Sequence, residues 1–530
     1  MKLFPKVKAP EKELYLIDTR NLSEEEKYLS AVLQGLVNRA SPRIFRHVYV
    51  QRDFHYGPVQ DVENTCWYEL LKKKGYCFKE KDIYGLMEIF SDCFNGAVLY
   101  DELEMYDIRH TSQYEINLTT MLCAQKNALP VTARFNKDLN LPVIFDTRGR
   151  WQDRFAAHDW ASENLWNESN KKVLCTLPAH YTNMVDYLTA FKVFTFYYPN
   201  WPSERDDEYL KRFLMLTPPN TPVIGVWDLA YTKEPVDPNY DQERNFIDCI
   251  SKAGKFFVVT HEASNLTVHS GMPPFKAIRN EKIKLKPEYD ENCLSFVYSE
   301  GDNISFQMCN YPMLWNDKGR TKVPITWSIS SAMTELCPDI LQHYFDGASG
   351  YDDYIISTSG AGYTFPSIYG DWYGERKDEI FAEFLNITRY YMENLEVCNV
   401  AVIDHPDKEY IADKSILEEY VKALPGLKGL FCDYPTSHGR LSDKPNYLLN
   451  GVSVFHAQNR SYRCKELVEE IIALKKNHQN PLSLYVFVSG WGLLPSDLLQ
   501  IAMGLEGHFQ VVPASQLSQL LLSYEQAIIK

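Results

Sequence analysis

Two short stretches hold residues able to do chemistry. Phe296 to Asn303 reads FVYSEGDN and sets Glu300 and Asp302 two residues apart behind an apolar run. Gly301 between them permits a tight or left-handed turn that can aim Asp302 inward. The plainer alternative is an ordinary Asx turn. Ser357 to Glu375 reads STSGAGYTFPSIYGDWYGE. Gly360 and Gly362 lack side chains, so the backbone there can come close to a ligand. Tyr363, Phe365, Tyr369, Trp372 and Tyr373 offer flat faces, and Asp371 and Glu375 offer acid. No lysine follows the glycines, and aromatic rings would crowd phosphates. A neutral, ring-shaped, hydroxyl-rich ligand suits this stretch better. Its alternative is a packed Ω-loop whose Glu375 sits in a helix first turn, where the dipole favours a carboxylate.

Further polar residues stand where apolar runs end. Asp228 follows Trp227, and His261 and Glu262 follow Thr260. Asp404 and His405 follow Ile403, Asp433 follows Cys432, His456 and Gln458 follow Phe455, and Trp491 follows Val488. Any strand must leave into polar sequence, and a single Asp there is often only a loop or helix cap. Convergence of many such residues says more, because a (β/α) barrel gathers its chemistry where strands end and βα loops begin.

The elements that would position them follow from periodicity. From Val223 onward, short apolar runs of strand type recur as far as Phe509 to Val512, with helical stretches such as Glu375 to Glu396, Cys464 to Lys476 and Ser515 to Tyr524 between them. Continuous apolar strands alternating with helices imply a parallel sheet covered on both faces. This predicts a (β/α) barrel-like domain over residues 216–530, irregular or incomplete. Residues 1–215 read as an N-terminal α/β region of one or two subdomains. It opens with a strand, Leu14 to Asp18, and a helix with Ser23 and Glu26 as a capping box and Leu29, Val32, Leu33, Leu36 and Val37 as its apolar stripe. The Pro-rich, charged stretch from Tyr197 to Pro222 reads as the boundary.

Composition narrows the function. The 530 residues are 45% hydrophobic and 24% charged, as in a soluble globular chain of several domains. A net charge of -15 argues against nucleic acid and anionic membranes, which need a basic face. No apolar run is long enough to span a bilayer and no signal core marks the start, so the expected location is the cytoplasm. The 12 cysteines form no C-x-x-C pair and read as reduced thiols. Neither a Rossmann nor a Walker glycine pattern occurs, and no cofactor is expected.

Gly360 to Pro366, GAGYTFP, resembles the signature of the GxGYxYP family of glycoside hydrolases, with Phe365 in place of the second tyrosine. SEGDN (Ser299 to Asn303), PITWSIS (Pro324 to Ser330), NLTVHSG (Asn265 to Gly271) and LSAVLQGLVNRASPRIF (Leu29 to Phe45) are similar to further family segments, in order along nearly the whole chain. The resemblance implies an N-terminal α/β region, a barrel-like catalytic domain and a carbohydrate substrate. Many members look like secreted proteins of gut bacteria; without a signal, this chain is expected to act on a small glycoside or oligosaccharide inside the cell.

A glycosidase needs two carboxyl groups flanking the scissile bond. Asp302 is the first candidate and Asp371 its partner, with Glu300 and Asp404 in reserve. Asn303, Gly360, Gly362, Tyr363, Trp372, His261, Glu262 and His405 are the candidate sugar contacts. Trp327, with Trp227 and Trp491, offers an alternative stacking wall. Two other functions fit the same residues. His261, His405 and His456 could hold a divalent ion in a metal-assisted deacetylase, although no H-x-x-x-H spacing supports it. A non-catalytic carbohydrate-binding protein would use the aromatics for stacking and the acids structurally.

Overall fold

The computed structural model describes the chain apart from residues 1, 49–51, 55–56, 60–61, 102–112, 200–201, 229–241, 278–290, 299–302, 406–410, 433–444, 458–462, 477–480 and 530. The fold is mixed α/β and is built on parallel sheets. The first helix, Glu24–Asn38, starts at Ser23, whose side chain and that of Glu26 cap each other's backbone. Its stripe of Leu29, Val32, Leu33, Leu36 and Val37 is buried.

Three small parallel sheets precede the last domain. The first orders its strands Ile44–His47, Glu13–Asp18, Cys77–Glu80, and the second Leu129–Thr132, Ala97–Tyr100, Val143–Asp146. The third runs Val193–Phe196, Asn170–Thr176, Pro222–Gly225, Phe256–Val259. Val223 to Gly225 pair with Leu174 to Thr176. One sheet therefore crosses the boundary expected at residues 215–216. The Pro-rich stretch is a crossover connection instead, and it carries the helix Glu204–Leu214.

The segments Leu29 to Phe45 and Asn265 to Gly271 meet inside the molecule. Asn265 sits at φ +57°, and its carboxamide oxygen accepts from Gln34 Nε2 at 2.7 Å and from the Arg46 N–H at 2.8 Å. Two residues on, the Thr267 N–H and hydroxyl donate to Asp186 at 2.9 and 2.6 Å. These polar groups are buried, so each needs such a partner. They tie the first sheet to the third.

The last domain has a curled sheet. Strands Cys293–Tyr298, Ile325–Ile329, Asp352–Ile356, Asn399–Val402, Gly429–Cys432 and Val452–His456 pair in chain order, all parallel. Ser483–Val488 then returns to pair with Cys293–Tyr298, and a single parallel bridge joins Ala457 to Tyr485. Alternate residues face two different cores, as strand geometry requires. Trp327, Tyr354, Val400 and Leu430 face the helices of the large core. Val297, Ile355, Ala401, Phe431, Phe455 and Phe487 face inward and pack on Leu517 and Leu521 of the C-terminal helix Ala514–Ile529. That helix is gripped at its start: the Ala514 N–H donates to Thr326 Oγ1 at 2.9 Å and the Ser515 N–H to Asp353 Oδ2 at 2.8 Å. The polar residues inside the amino ends of these strands thus hold the chain's own helix. No helix among the described residues is long and apolar enough to cross a membrane, and all 12 cysteines are unpaired with one another.

Candidate active site at a domain seam

The glycine-aromatic loop joins two domains. Phe257, on the edge strand of the third sheet, and Tyr363 exchange backbone hydrogen bonds of 2.9 and 2.8 Å. A Cβ on Gly362 would lie 2.6 Å from the Phe256 ring and 2.8 Å from the Phe257 carbonyl oxygen. Gly360, at φ +121°, is pressed on Thr388, whose Oγ1 would be 2.4 Å from a Cβ. Both glycines serve close packing against protein. Tyr363, Phe365 and Tyr369 are buried. Phe365 N–H and Thr364 Oγ1 both meet Ser251 Oγ at 2.8 Å, in the helix Gln242–Lys252.

The two acids of that loop lie outside its packed part. Asp371 starts the 3-10 turn Asp371–Arg376 and forms a half-exposed ion pair with Lys377. Trp372 is partly buried, and the Lys211 ammonium stands 5.0 Å from the centre of its ring. A cation already occupies that face.

Asp404 is placed differently. It follows the strand Asn399–Val402 and is fully buried. Its Oδ1 accepts from the Ser367 N–H at 3.0 Å, the Ser367 hydroxyl at 2.8 Å and the His405 N–H at 2.8 Å. Its Oδ2 has no hydrogen-bond partner among the described residues. Burial pushes this carboxyl above its ordinary range, although the donors and His405 act against the shift. His405 packs edge-on against Phe365, with ring centres 5.5 Å apart, and its Nε2 lies 3.2 Å from Asp248.

The carboxyl end of the third sheet meets the last domain through a further contact. His261 and Glu262 leave the strand Phe256–Val259. Ser305 Oγ lies 3.3 Å from His261 Nδ1 and accepts the Glu262 N–H at 3.2 Å. Ser305 belongs to the helix Asn303–Cys309 of the last domain, which links the two sets of strand ends. Asn303 is buried at φ +44° and accepts from the Ser357 hydroxyl at 3.4 Å. Glu300 and Asp302 lie outside the described residues, three positions and one position before Asn303 in the chain.

The structure therefore sets His261 and Glu262 against the helix that begins at Asn303, and Asp404 and His405 against the loop that carries Tyr363. It sets Asp371 and Trp372 in surface ion contacts. Trp327 is in the packed core, donating to Asp352 Oδ1 at 2.8 Å and stacked on Tyr298, so it offers no face to a sugar. His456 stacks on Tyr447, and its N–H donates to Asn446. Among the described residues, no three His, Cys, Asp or Glu side chains gather as a metal-ligand set.

Three neighbours are not among the candidates drawn from the sequence. His180 and Tyr181 follow the strand Asn170–Thr176, and Tyr197 follows Val193–Phe196. The Tyr181 and His261 ring centres are 4.5 Å apart, and the Tyr197 hydroxyl donates to Asp228 at 2.6 Å. The same signal that marks Asp228, a polar residue at a strand exit, was present for them. Those strands lie before residue 215, in the N-terminal α/β region and outside the barrel-like domain expected from the sequence.

Comparison with known proteins bears on the same regions. Three family models match: the GxGYxYP_N second domain over residues 94–169, the GxGYxYP third domain over 170–271, and the "GxGYxYP putative glycoside hydrolase C-terminal domain" over 290–521. The seam lies between the second and third of these matches. A solved structure described as "a putative hydrolase from Bacteroides thetaiotaomicron VPI-5482" is 19% identical, with a TM-score of 0.78 over 98% of this chain and 96% of that one. The two share a fold. A "putative polysaccharide deacetylase from Mycobacterium smegmatis" is 9% identical over 48% of this chain and 96% of that one, and its TM-score of 0.29 is too low to bear on the fold. No curated protein matches the sequence.

Proposed function

From the premise that this chain belongs to the GxGYxYP family, we propose that it hydrolyses the O-glycosidic bond of a small glycoside or oligosaccharide. The substrate would lie in the seam between residues 170–271 and 290–521. We read the curled sheet of the last domain as a (β/α) barrel whose carboxyl-end mouth forms one wall. Paired carboxyl groups do the chemistry, one protonating the leaving oxygen and the other acting as nucleophile or base. Asp302 and Asp404 are the proposed pair, since both follow strands of one parallel sheet at the same end.

The observation that carries this reading is the state of Asp404. A general acid must hold its proton near neutral pH, and burial raises its affinity for that proton. Three donors fix one oxygen, leaving Oδ2 as the atom that can carry and deliver the proton. Asn303 and Glu262 would bind hydroxyl groups, and His261 would be oriented by Ser305. The separation of the two carboxyl groups then selects the outcome: about 5–5.5 Å for retention and about 6.5–9.5 Å for inversion.

The test is turnover of a panel of aryl glycosides and short oligosaccharides, with Asp302→Asn and Asp404→Asn alongside the wild type. Loss of activity in both variants supports the pair, and full activity in either removes that residue from it. A second reading, carbohydrate binding without turnover, draws on the ion pairing of Asp371 with Lys377, which engages that acid of the signature loop with a cation. Saturable sugar binding with no hydrolysis across the panel would select it.

A further inference from the structure

The third sheet has a place where strand order reverses. From Asn170–Thr176 the chain crosses to Val193–Phe196 on one side, and the next strand, Pro222–Gly225, lies on the other side. Open α/β sheets bind ligands in the crevice outside the carboxyl ends of strands at such a point. Here the two strand ends touch. Gly225 has φ +108°, and a Cβ on it would stand 1.9 Å from the Thr176 carbonyl oxygen. Only glycine allows that approach, and the chain turns there to present Asp228.

The residues leaving these strands are polar and of mixed capability. Asp228 is buried and accepts the Tyr197 hydroxyl at 2.6 Å. His180 and Tyr197 are partly exposed, with the His180 ring against Tyr181 at 4.1 Å. Tyr181 in turn meets His261, so the crevice is continuous with the seam. Arg154, the cation whose field reaches Tyr197, is bound through two contacts of 2.6 Å to Asp206. Burial lowers the proton affinity of His180 and opposes a positive charge there, although Asp228 works against the shift. A carboxylate, a phenol and a neutral imidazole, with no free cation among the described residues beside them, suit hydroxyl groups and do not suit phosphate.

Building on the glycosidase reading, we propose that His180, Tyr197 and Asp228 form a sugar subsite, binding ring hydroxyls of the substrate from the third domain. The active site is then composite: the last domain supplies the reacting carboxyl groups and the third domain positions the sugar.

Saturation-transfer NMR with glucose, galactose, mannose, xylose and N-acetylglucosamine tests this on the full chain, with hydrolysis of the matching aryl glycosides followed in parallel. The wild type should bind at least one sugar. His180→Ala and Asp228→Asn should each weaken it by about tenfold or more, the scale of one lost hydrogen bond to a ligand. Should Asp228→Asn fail to fold, His180→Ala and Tyr197→Phe carry the test, because both side chains are partly exposed. Unchanged binding in the folded variants overturns the subsite, and so does a wild type that binds none of the five sugars. Sugar binding that is weakened by the variants, without hydrolysis by any form, upholds the subsite and overturns only the glycosidase reading.

Discussion

Phe257 and Tyr363 donate their backbone N–H groups to each other's carbonyl oxygens, at 2.9 and 2.8 Å. Through this pair, the loop that follows the strand Asp352–Ile356 is stitched to the edge of a sheet belonging to another domain. Gly362, immediately before Tyr363, allows the approach. Gly362→Ala would drive a methyl group into the Phe257 carbonyl and the Phe256 ring, and backbone cannot move aside cheaply. The expected result is a stability loss of about 1–3 kcal/mol, read from urea unfolding of the full chain. Undiminished stability would mean that the seam is looser than its contacts imply.

Three aspartates can be separated by turnover. Asp302→Asn and Asp404→Asn should each lower it by about a hundredfold or more, the scale of a lost acid or base. Asp371→Asn discriminates the two candidate pairings. With Asp404 as partner, it removes only a surface ion pair to Lys377 and activity stays near that of the wild type. If it costs as much as Asp302→Asn, the pair is Asp302 and Asp371.

His269 and Asp339 form a buried pair between the short helix Leu266–Ser270 and the helix Pro338–Asp346, with Nδ1 and Oδ2 2.9 Å apart. Each side chain is 1% exposed. Asp339→Ala leaves the imidazole without this partner and should cost about 3–5 kcal/mol. Denaturant unfolding measures it, and a change below about 1 kcal/mol, the scale of an exposed pair, would show that the contact contributes little.

Glu115 makes stability depend on pH. Burial pushes its carboxyl up from 4.5 to about 7. Its Oε1 is 2.7 Å from Thr147 Oγ1, which in turn can donate to the Leu99 carbonyl at 2.8 Å. The Thr147 hydroxyl donating to the carboxyl works against the shift, and burial outweighs it. The folded state therefore holds the proton more tightly than the unfolded one. That contribution is complete below about pH 4.5 and is lost as pH rises through about 7. Unfolding free energies of wild type and Glu115→Gln, compared from pH 4 to 8, should show the wild-type advantage shrinking over this window. A constant difference would place the titration elsewhere.

Much of the fold was legible because it rests on local patterns. Apolar runs of strand length, such as Ile325 to Ile329 and Leu484 to Val488, mark strands whichever partner they later find. Ser23 and Glu26 mark a helix start because capping is complete within one turn. The family segments were legible for a similar reason, as contiguous words in the chain. What those words do was not. Gly360, Gly362 and Tyr363 have the composition of a ligand wall, yet Thr388 and Phe257 stand where a ligand would. Trp327 has the chemistry of a stacking platform, but strand alternation turns it into the core beside Asp352. Asp371 and Asp404 are equivalent as letters. Only tertiary structure sets one beside Lys377 in water and buries the other with an oxygen unpartnered among the described residues, because solvation and charge depend on neighbours distant in the chain. His180 and Asp228 show the same division: 48 positions apart in sequence, they follow adjacent strands only because the third sheet reverses its strand order between them.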